Sequence, residues 1–336
     1  MLAPQECDML FETIEKLIAH GKSIVFISHK LDEVVKISDR ITILSHGKVV
    51  GEMLRNEANK EKIVSMMVGE QVKAPQAVRV DVMDHGDVPL IELKNISVKD
   101  DRGVETIHDL DFKLYKGEIV GIAGVEGNGQ TELAEVTAGI RGITEGKILL
   151  NGREVKAGEC FQFVKEEVAY VPADRNSVGT IKTFPLFENW LLRSRKKTNR
   201  HHVVSYKDLK EETRCGMEMY DVRARGVEDI TGNLSGGNLQ KFILAREMTK
   251  KPKSMICEYP TRGVDIKASW FIRENILHAR DYGMGVVLIS GDLEELFFLS
   301  DVIFVMYKGK IIGQADPKTA TVQEIGNLMM GITEGE

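Results

Sequence analysis

"GVEGNGQTEL", Gly124 to Leu133, follows the apolar run "EIVGIA" (118–123), and its reading decides the fold. Gly124, Gly127 and Gly129 let the backbone turn tightly and aim successive N–H groups at an anion. The segment that follows, "TELAEVTAG", predicts a helix whose N-terminus favours negative charge. Thr131 stands where G-x-x-x-x-G-K-[ST] places a Mg²⁺-coordinating hydroxyl, but Gln130 stands where that pattern has its lysine. The rival dinucleotide fingerprint, G-x-G-x-x-G, needs glycine at 132, and Glu132 is there. The plain alternative is a glycine-rich strand-to-helix turn with no ligand.

The composition bounds what such a loop can belong to. The chain has 336 residues with 43% hydrophobic content, enough for about two domains. A net charge of −6 argues against a broad nucleic-acid-binding surface. Cys7, Cys160, Cys215 and Cys257 lie far apart with no C-x-x-C pair, so neither a disulfide framework nor a zinc site is expected. The N-terminus lacks the regions of a signal peptide, and no apolar run approaches the ~18–20 residues of a membrane-spanning helix. Any membrane role must then go through a partner.

An internal repeat organises the chain. "SIVFISHKLDEVVKISDRITILSHGKVVG" (23–51) aligns without a gap on "GVVLISGDLEELFFLSDVIFVMYKGKIIG" (285–313), at an offset of 262. Ile27 matches Ile289, Ser28 Ser290, Glu33 Glu295, Asp39 Asp301 and Gly47 Gly309. Each copy predicts an apolar strand, a turn, an amphipathic helix and a further strand ending at Gly-Lys. "QVKAPQAVRVDVMDHGDVP" (71–89) has no clear periodicity and reads as a linker. The segment from about Ile91 to Arg262 has no counterpart ahead of the first copy. The expected organisation is therefore the tail of one domain (1–70), a linker (71–89) and one complete domain (90–336).

Two later stretches raise the phosphate loop above a chance turn. "NLSGGNLQKFILAREM" (233–248) places Ser235, Gly236 and Gly237 at a helix start, a second site for phosphate oxygens. A lone S-G-G is more often an ordinary cap. "SMICEYPTRGVD" (254–265) is a short apolar strand ending at Glu258, which alone would read as a buried strand with a solvated acidic end. The phosphate loop, L-S-G-G and acidic strand end occur in this order, and the repeat then adds a strand closed by Ser-His or Ser-Gly.

With these motifs in place the chain resembles the ATP-binding subunits of ABC transporters. "LSGGN" looks like the family signature, "ICEYPTRGVD" like the Walker B strand with its D-loop, and "FISHKLDEV" like the switch-histidine segment. The tandem arrangement is similar to importers of monosaccharides and nucleosides. The resemblance implies an α/β P-loop nucleotide-binding domain with a parallel core sheet, an antiparallel β region and a helical subdomain over roughly 180–250. It implies ATP and Mg²⁺, carried between the Walker motifs of one domain and the signature of a second nucleotide-binding domain. Gly124, Gly127, Asn128, Gly129, Gln130, Thr131 and Glu132 would hold nucleotide, with Thr131 on the metal. Ser235, Gly236 and Gly237 would close over the γ-phosphate, and His29 and Glu258 occupy the catalytic positions. The implied partners are transmembrane permease subunits and an extracellular or periplasmic solute-binding protein, at the cytoplasmic face of the membrane, with no nucleic acid.

The departures from the family pattern fall on one site. Gln130 replaces the phosphate-binding lysine, Cys257 replaces an aspartate, and Gly291 occupies the switch-histidine position. Ala173 falls where the Q-loop glutamine is expected, and "NISVKDD" has no aromatic residue to stack on adenine. Hydrolysis in the complete domain is therefore not expected, whereas His29 and the Ser235–Gly237 signature keep the pieces of the other composite site. Two other readings are a non-hydrolysing structural remnant and a soluble ABC protein of translation or repair.

Overall fold

The computed structural model describes residues 4–28, 31–45, 48–59, 62–63, 66, 88–193 and 204–332. The chain divides into two compact units, Met1–Gln76 with Asp265–Trp270, and Ala77–Val264 with Phe271–Glu336. Most of the expected linker, 71–87, and the expected switch residue His29 lie outside the described residues.

In the larger unit the continuous apolar runs become buried parallel strands, as expected where both faces of a sheet are covered. Its strands are β3 (Ile91–Lys99), β4 (Glu105–Leu114), β5 (Ile119–Ala123), β6 (Glu145–Leu150), β7 (Arg153–Val155), β8 (Val168–Val171), β9 (Ser254–Glu258), β10 (Gly285–Ile289), β11 (Val302–Tyr307) and β12 (Lys310–Ala315). A six-stranded sheet runs in the order β12-β11-β5-β10-β9-β8, parallel except for β12. A four-stranded antiparallel sheet runs β4-β3-β6-β7. One core joins the two, with Ile96, Ile107, Ile122, Leu133, Val287 and Ile289 all fully buried. The helical insert is present as helices Leu186–Leu191, Tyr206–Met219 and Gly236–Met248. Trp190 is its fully buried anchor, packed 5.8 Å from the Phe242 ring.

The smaller unit contains helices Pro4–Ala19 and Leu31–Ile37 and a two-stranded hairpin, β1 (Arg40–Ser45) and β2 (Lys48–Leu54). The repeat is physical as well as textual. The hairpin bulge between Ile43 and Leu44 recurs between Val305 and Met306, at the same offset of the two sequences. Ser28 Oγ donates to Glu33 Oε2 at 2.9 Å, and Ser290 Oγ donates to Glu295 Oε2 at 2.8 Å.

One sequence expectation is corrected. The apolar segment 23–27 matches β10 but forms no strand. β10 pairs with β5 on one side and β9 on the other, and its Val287 and Ile289 are fully buried. Among the described residues, segment 23–27 has neither neighbour, and Val25 and Ile27 are each 90% exposed. Strand formation takes its hydrogen bonds from adjacent chain, so apolar sequence alone cannot supply it.

Candidate functional site

The carboxyl ends of parallel strands are where an open α/β sheet gathers a ligand site. β5 delivers the 124–129 loop there, β9 delivers Glu258, β8 leads to Ala173, and β10 leads to Ser290 and Gly291. All four arrive along one edge because β8, β9, β10 and β5 are consecutive neighbours.

The loop has the backbone that its glycines predict. Gly127 and Gly129 sit at φ 96° and 100°, in the left-handed region open to glycine. At Gly129 a Cβ would also lie 2.9 Å from the Thr106 carbonyl oxygen, so the helix Gln130–Thr137 starts from a position that admits no side chain. Asn128 fixes the loop to the β11–β12 turn, accepting from Lys308 N at 2.7 Å through Oδ1 and from Gly309 N at 3.1 Å through its carbonyl.

Gln130 turns back into this loop instead of leaving it open. Its Oε1 accepts from Asn128 N at 3.0 Å, and its Nε2 donates to Val125 O at 2.9 Å. The side chain is only 2% exposed. An N–H that the glycine-rich loop would aim at a phosphate is thereby satisfied by the chain itself. Lysine carries three donors and no acceptor, so it could not make the bond from Asn128.

Glu258 is closed in the same manner. Its Oε1 accepts from Thr131 Oγ1 at 2.7 Å, and its Oε2 accepts from Tyr170 OH at 2.8 Å and from Ala173 N at 3.2 Å. Burial, and then the neighbouring Glu258 charge, hold the Tyr170 phenol far above its ordinary range, so it stays a donor. Cys257 is fully buried, and desolvation pushes its thiol well up. The donor set suits Mg²⁺ poorly, because beside the Thr131 hydroxyl and Glu258 it offers a buried neutral thiol, Cys257, where a hard cation takes oxygen. Among the described residues no group of three His, Cys, Asp or Glu side chains could hold a metal. Gly291 follows the Ser290 that Glu295 holds and offers no side chain.

The signature stands at the start of another helix. Ser235 caps the Gly236–Met248 helix, accepting from Asn238 N at 3.5 Å and from Asn238 Nδ2 at 3.0 Å. Asn238 Oδ1 in turn accepts from Arg223 N at 2.9 Å, which ties the helix start to the 221–223 turn. Ser235 and Gly236 are exposed and Gly237 is buried, so the helix is open to solvent at its cap and first residue. Glu132 lies in the first turn of the loop helix, half-buried.

Residues 107–262 match the family model described as ABC transporter. A dimeric bacterial ABC transporter cassette superposes with a TM-score of 0.59 at 19% identity, covering 68% of this chain and 98% of that one. The larger unit has the ABC nucleotide-binding fold. The chain is similar to the glucose import ATP-binding protein of Haloferax volcanii, at 40% identity over 98% of this chain and 60% of the relative. It is also similar to the guanosine import ATP-binding protein of Bacillus subtilis, at 37% identity over 100% of this chain and 66% of the relative. The ribose import ATP-binding protein of Bacillus cereus matches at 32% identity, over 98% of this chain and 65% of the relative. The chain thus spans 60–66% of the length of these curated relatives. No described helix is long and apolar enough to cross a membrane.

Motif spacing anticipated the neighbourhood of Gln130, Thr131 and Glu258. Motif spacing gave Tyr170 no role. Tyr170 reaches Glu258 from a neighbouring strand, 88 residues away in sequence.

Proposed function

We propose that this chain is the ATP-binding subunit of an ABC importer for a small solute, a nucleoside or a monosaccharide. It would work with transmembrane permease subunits and an external solute-binding protein at the cytoplasmic face of the membrane. Residues 1–70 would be the tail of a first nucleotide-binding domain and 90–336 a complete second one. The observation that carries the reading is the contrast between the two halves of the machinery: a phosphate loop filled by Gln130, and a signature at Ser235–Gly237 open to a partner.

In this reading the working site lies between this signature and the phosphate loop of the first domain. ATP and Mg²⁺ bind there, and Mg²⁺ supplies charge neutralisation at the phosphates. His29 contacts the γ-phosphate, while the Ser235 hydroxyl and the Gly236 and Gly237 N–H groups close over it, since phosphoryl transfer depends on positioning and charge. Glu258, held by three donors, would serve as the hub that keeps the silent site shut and not as a base.

The test compares the pure chain with the chain joined to a complete first domain, in proteoliposomes with permease. Alone it should release no phosphate above a blank. In the assembly, His29→Ala and Ser235→Arg should each abolish ATP turnover and uptake of radiolabelled nucleoside or sugar. Sustained Mg²⁺-dependent turnover by the pure chain, abolished by Glu258→Gln, would overturn the assignment. Full activity of the Ser235→Arg assembly would overturn it equally.

A further inference from the structure

Arg175 is used by no motif described so far. It follows the β8 strand in a turn whose Asp174 Oδ1 accepts from Asn176 N and Ser177 N, both at 3.0 Å. Thr180 Oγ1 closes the turn on the Arg175 carbonyl at 2.8 Å. From this braced backbone the guanidinium reaches across two segments. Nη1 donates to the Gly236 carbonyl at 3.3 Å, in the first turn of the signature helix, and Nη2 donates to the Arg262 carbonyl, in the turn after Glu258.

Three features set this apart from an ordinary surface arginine. First, among the described residues no other hydrogen bond joins the 234–238 stretch to the 259–264 turn. Second, Arg175 forms no ion pair among the described residues; burial and the nearby Arg262 charge push its pKa down. A cation beside a second cation, satisfied only by carbonyls, costs free energy unless geometry or an incoming anion repays it. Third, the turn it holds is itself shaped. Gly263 sits at φ 64°, Arg262 pairs with Glu126 of the phosphate loop at 3.2 Å, and the Arg262 guanidinium lies 5.6 Å from the Tyr259 ring.

We propose that Arg175 is a positioning residue for ATP turnover, fixing the Ser235–Gly237 signature against the Tyr259–Val264 turn so that both meet a partner domain in one fixed relation. The proposal rests on the importer reading above. A planar fork holds two carbonyls in one fixed relation, whereas an ammonium is a compact point charge on a flexible stem. Arg175 acts through the signature and touches no substrate itself.

The test uses Arg175→Ala and Arg175→Lys in the full chain, alone and assembled with a complete first domain and permease. In the assembly, kcat should fall about tenfold for both variants, while half-saturating ATP changes less than about twofold. Methylguanidinium at millimolar concentration should restore part of the Arg175→Ala rate, and methylammonium should not. The melting temperature of the chain should fall by less than about 4 °C. In the chain alone, hydrogen exchange of amides 235–239 and 259–264 should quicken about threefold or more in Arg175→Ala. Unchanged kcat and unchanged exchange would overturn the proposal, as would a loss of rate matched by a large melting loss and no rescue. If the unsubstituted assembly turns over no ATP, the importer reading fails by itself, and the exchange measurement still decides the role of Arg175.

Discussion

Replacing Gln130 by lysine should weaken the nucleotide-free domain and strengthen its hold on a nucleoside triphosphate at the same time. The carboxamide is 2% exposed and closes two hydrogen bonds inside the loop, at 3.0 and 2.9 Å. A neutral bond contributes a net of about 1 kcal/mol, so losing both costs about 2 kcal/mol. For a domain of this size each kcal/mol shifts the melting temperature by roughly 2–4 °C, which predicts a fall of about 4–8 °C. With triphosphate present the sign reverses. A charge-assisted bond is worth about 1.5–3 kcal/mol, or roughly tenfold to a hundredfold in affinity. Calorimetric melting with and without Mg²⁺-ATP reads the first effect, and titration with a fluorescent ATP analogue reads the second. Turnover should remain absent, because Cys257 and Gly291 are untouched. A variant that melts with the parent and binds no tighter would refute the view that Gln130 fills the loop. Hydrolysis by it would refute the assignment of this site as silent.

Other outcomes follow from particular contacts. Tyr170→Phe removes a donor from the Glu258 carboxylate and should cost about 1.5–3 kcal/mol. The double variant with Glu258→Gln should recover part of that loss in a thermodynamic cycle, and strict additivity would show the pair uncoupled. Gly216→Ala would place a Cβ 2.1 Å from Cη2 of the fully buried Trp190, so overpacking of about 1–3 kcal/mol should outweigh a helix-propensity gain near 1 kcal/mol. A melting temperature equal to or above that of the parent would show that the ring yields. Iodoacetamide should label the exposed Cys160 and Cys215 and leave Cys257 unmodified, since burial both covers its thiol and raises its pKa; mass spectrometry of the native protein decides this.

The sheet and the loop were legible because their signals are local. "EIVGIA" before the glycines, "SMICE" before Pro260 and "GVVLIS" after Gly283 each encode a buried strand within a few residues, and β5, β9 and β10 stand there. The same local logic failed at 23–27, where identical patterning forms no strand because the neighbours that would pair with it are absent among the described residues. The absence of lysine at 130 was visible, but what replaces it chemically was not. A glutamine that accepts from Asn128 N depends on the left-handed turn between them, not on composition. Tyr170 and Ala173 reach Glu258 across 88 and 85 residues of sequence, so only adjacent parallel strands bring them together. Arg175 is harder still, since it binds two backbone carbonyls, groups that every residue carries and no motif can mark.

The uncovered apolar segment Ile24–Ile27 also bears on how the protein behaves in the test tube. Phe26 meets the Phe11 ring edge-on at 6.3 Å, but Val25 and Ile27 are exposed, and an uncharged β-branched pair of that kind favours association with another strand. Solubility then becomes a question of concentration and time, and light scattering should rise with both.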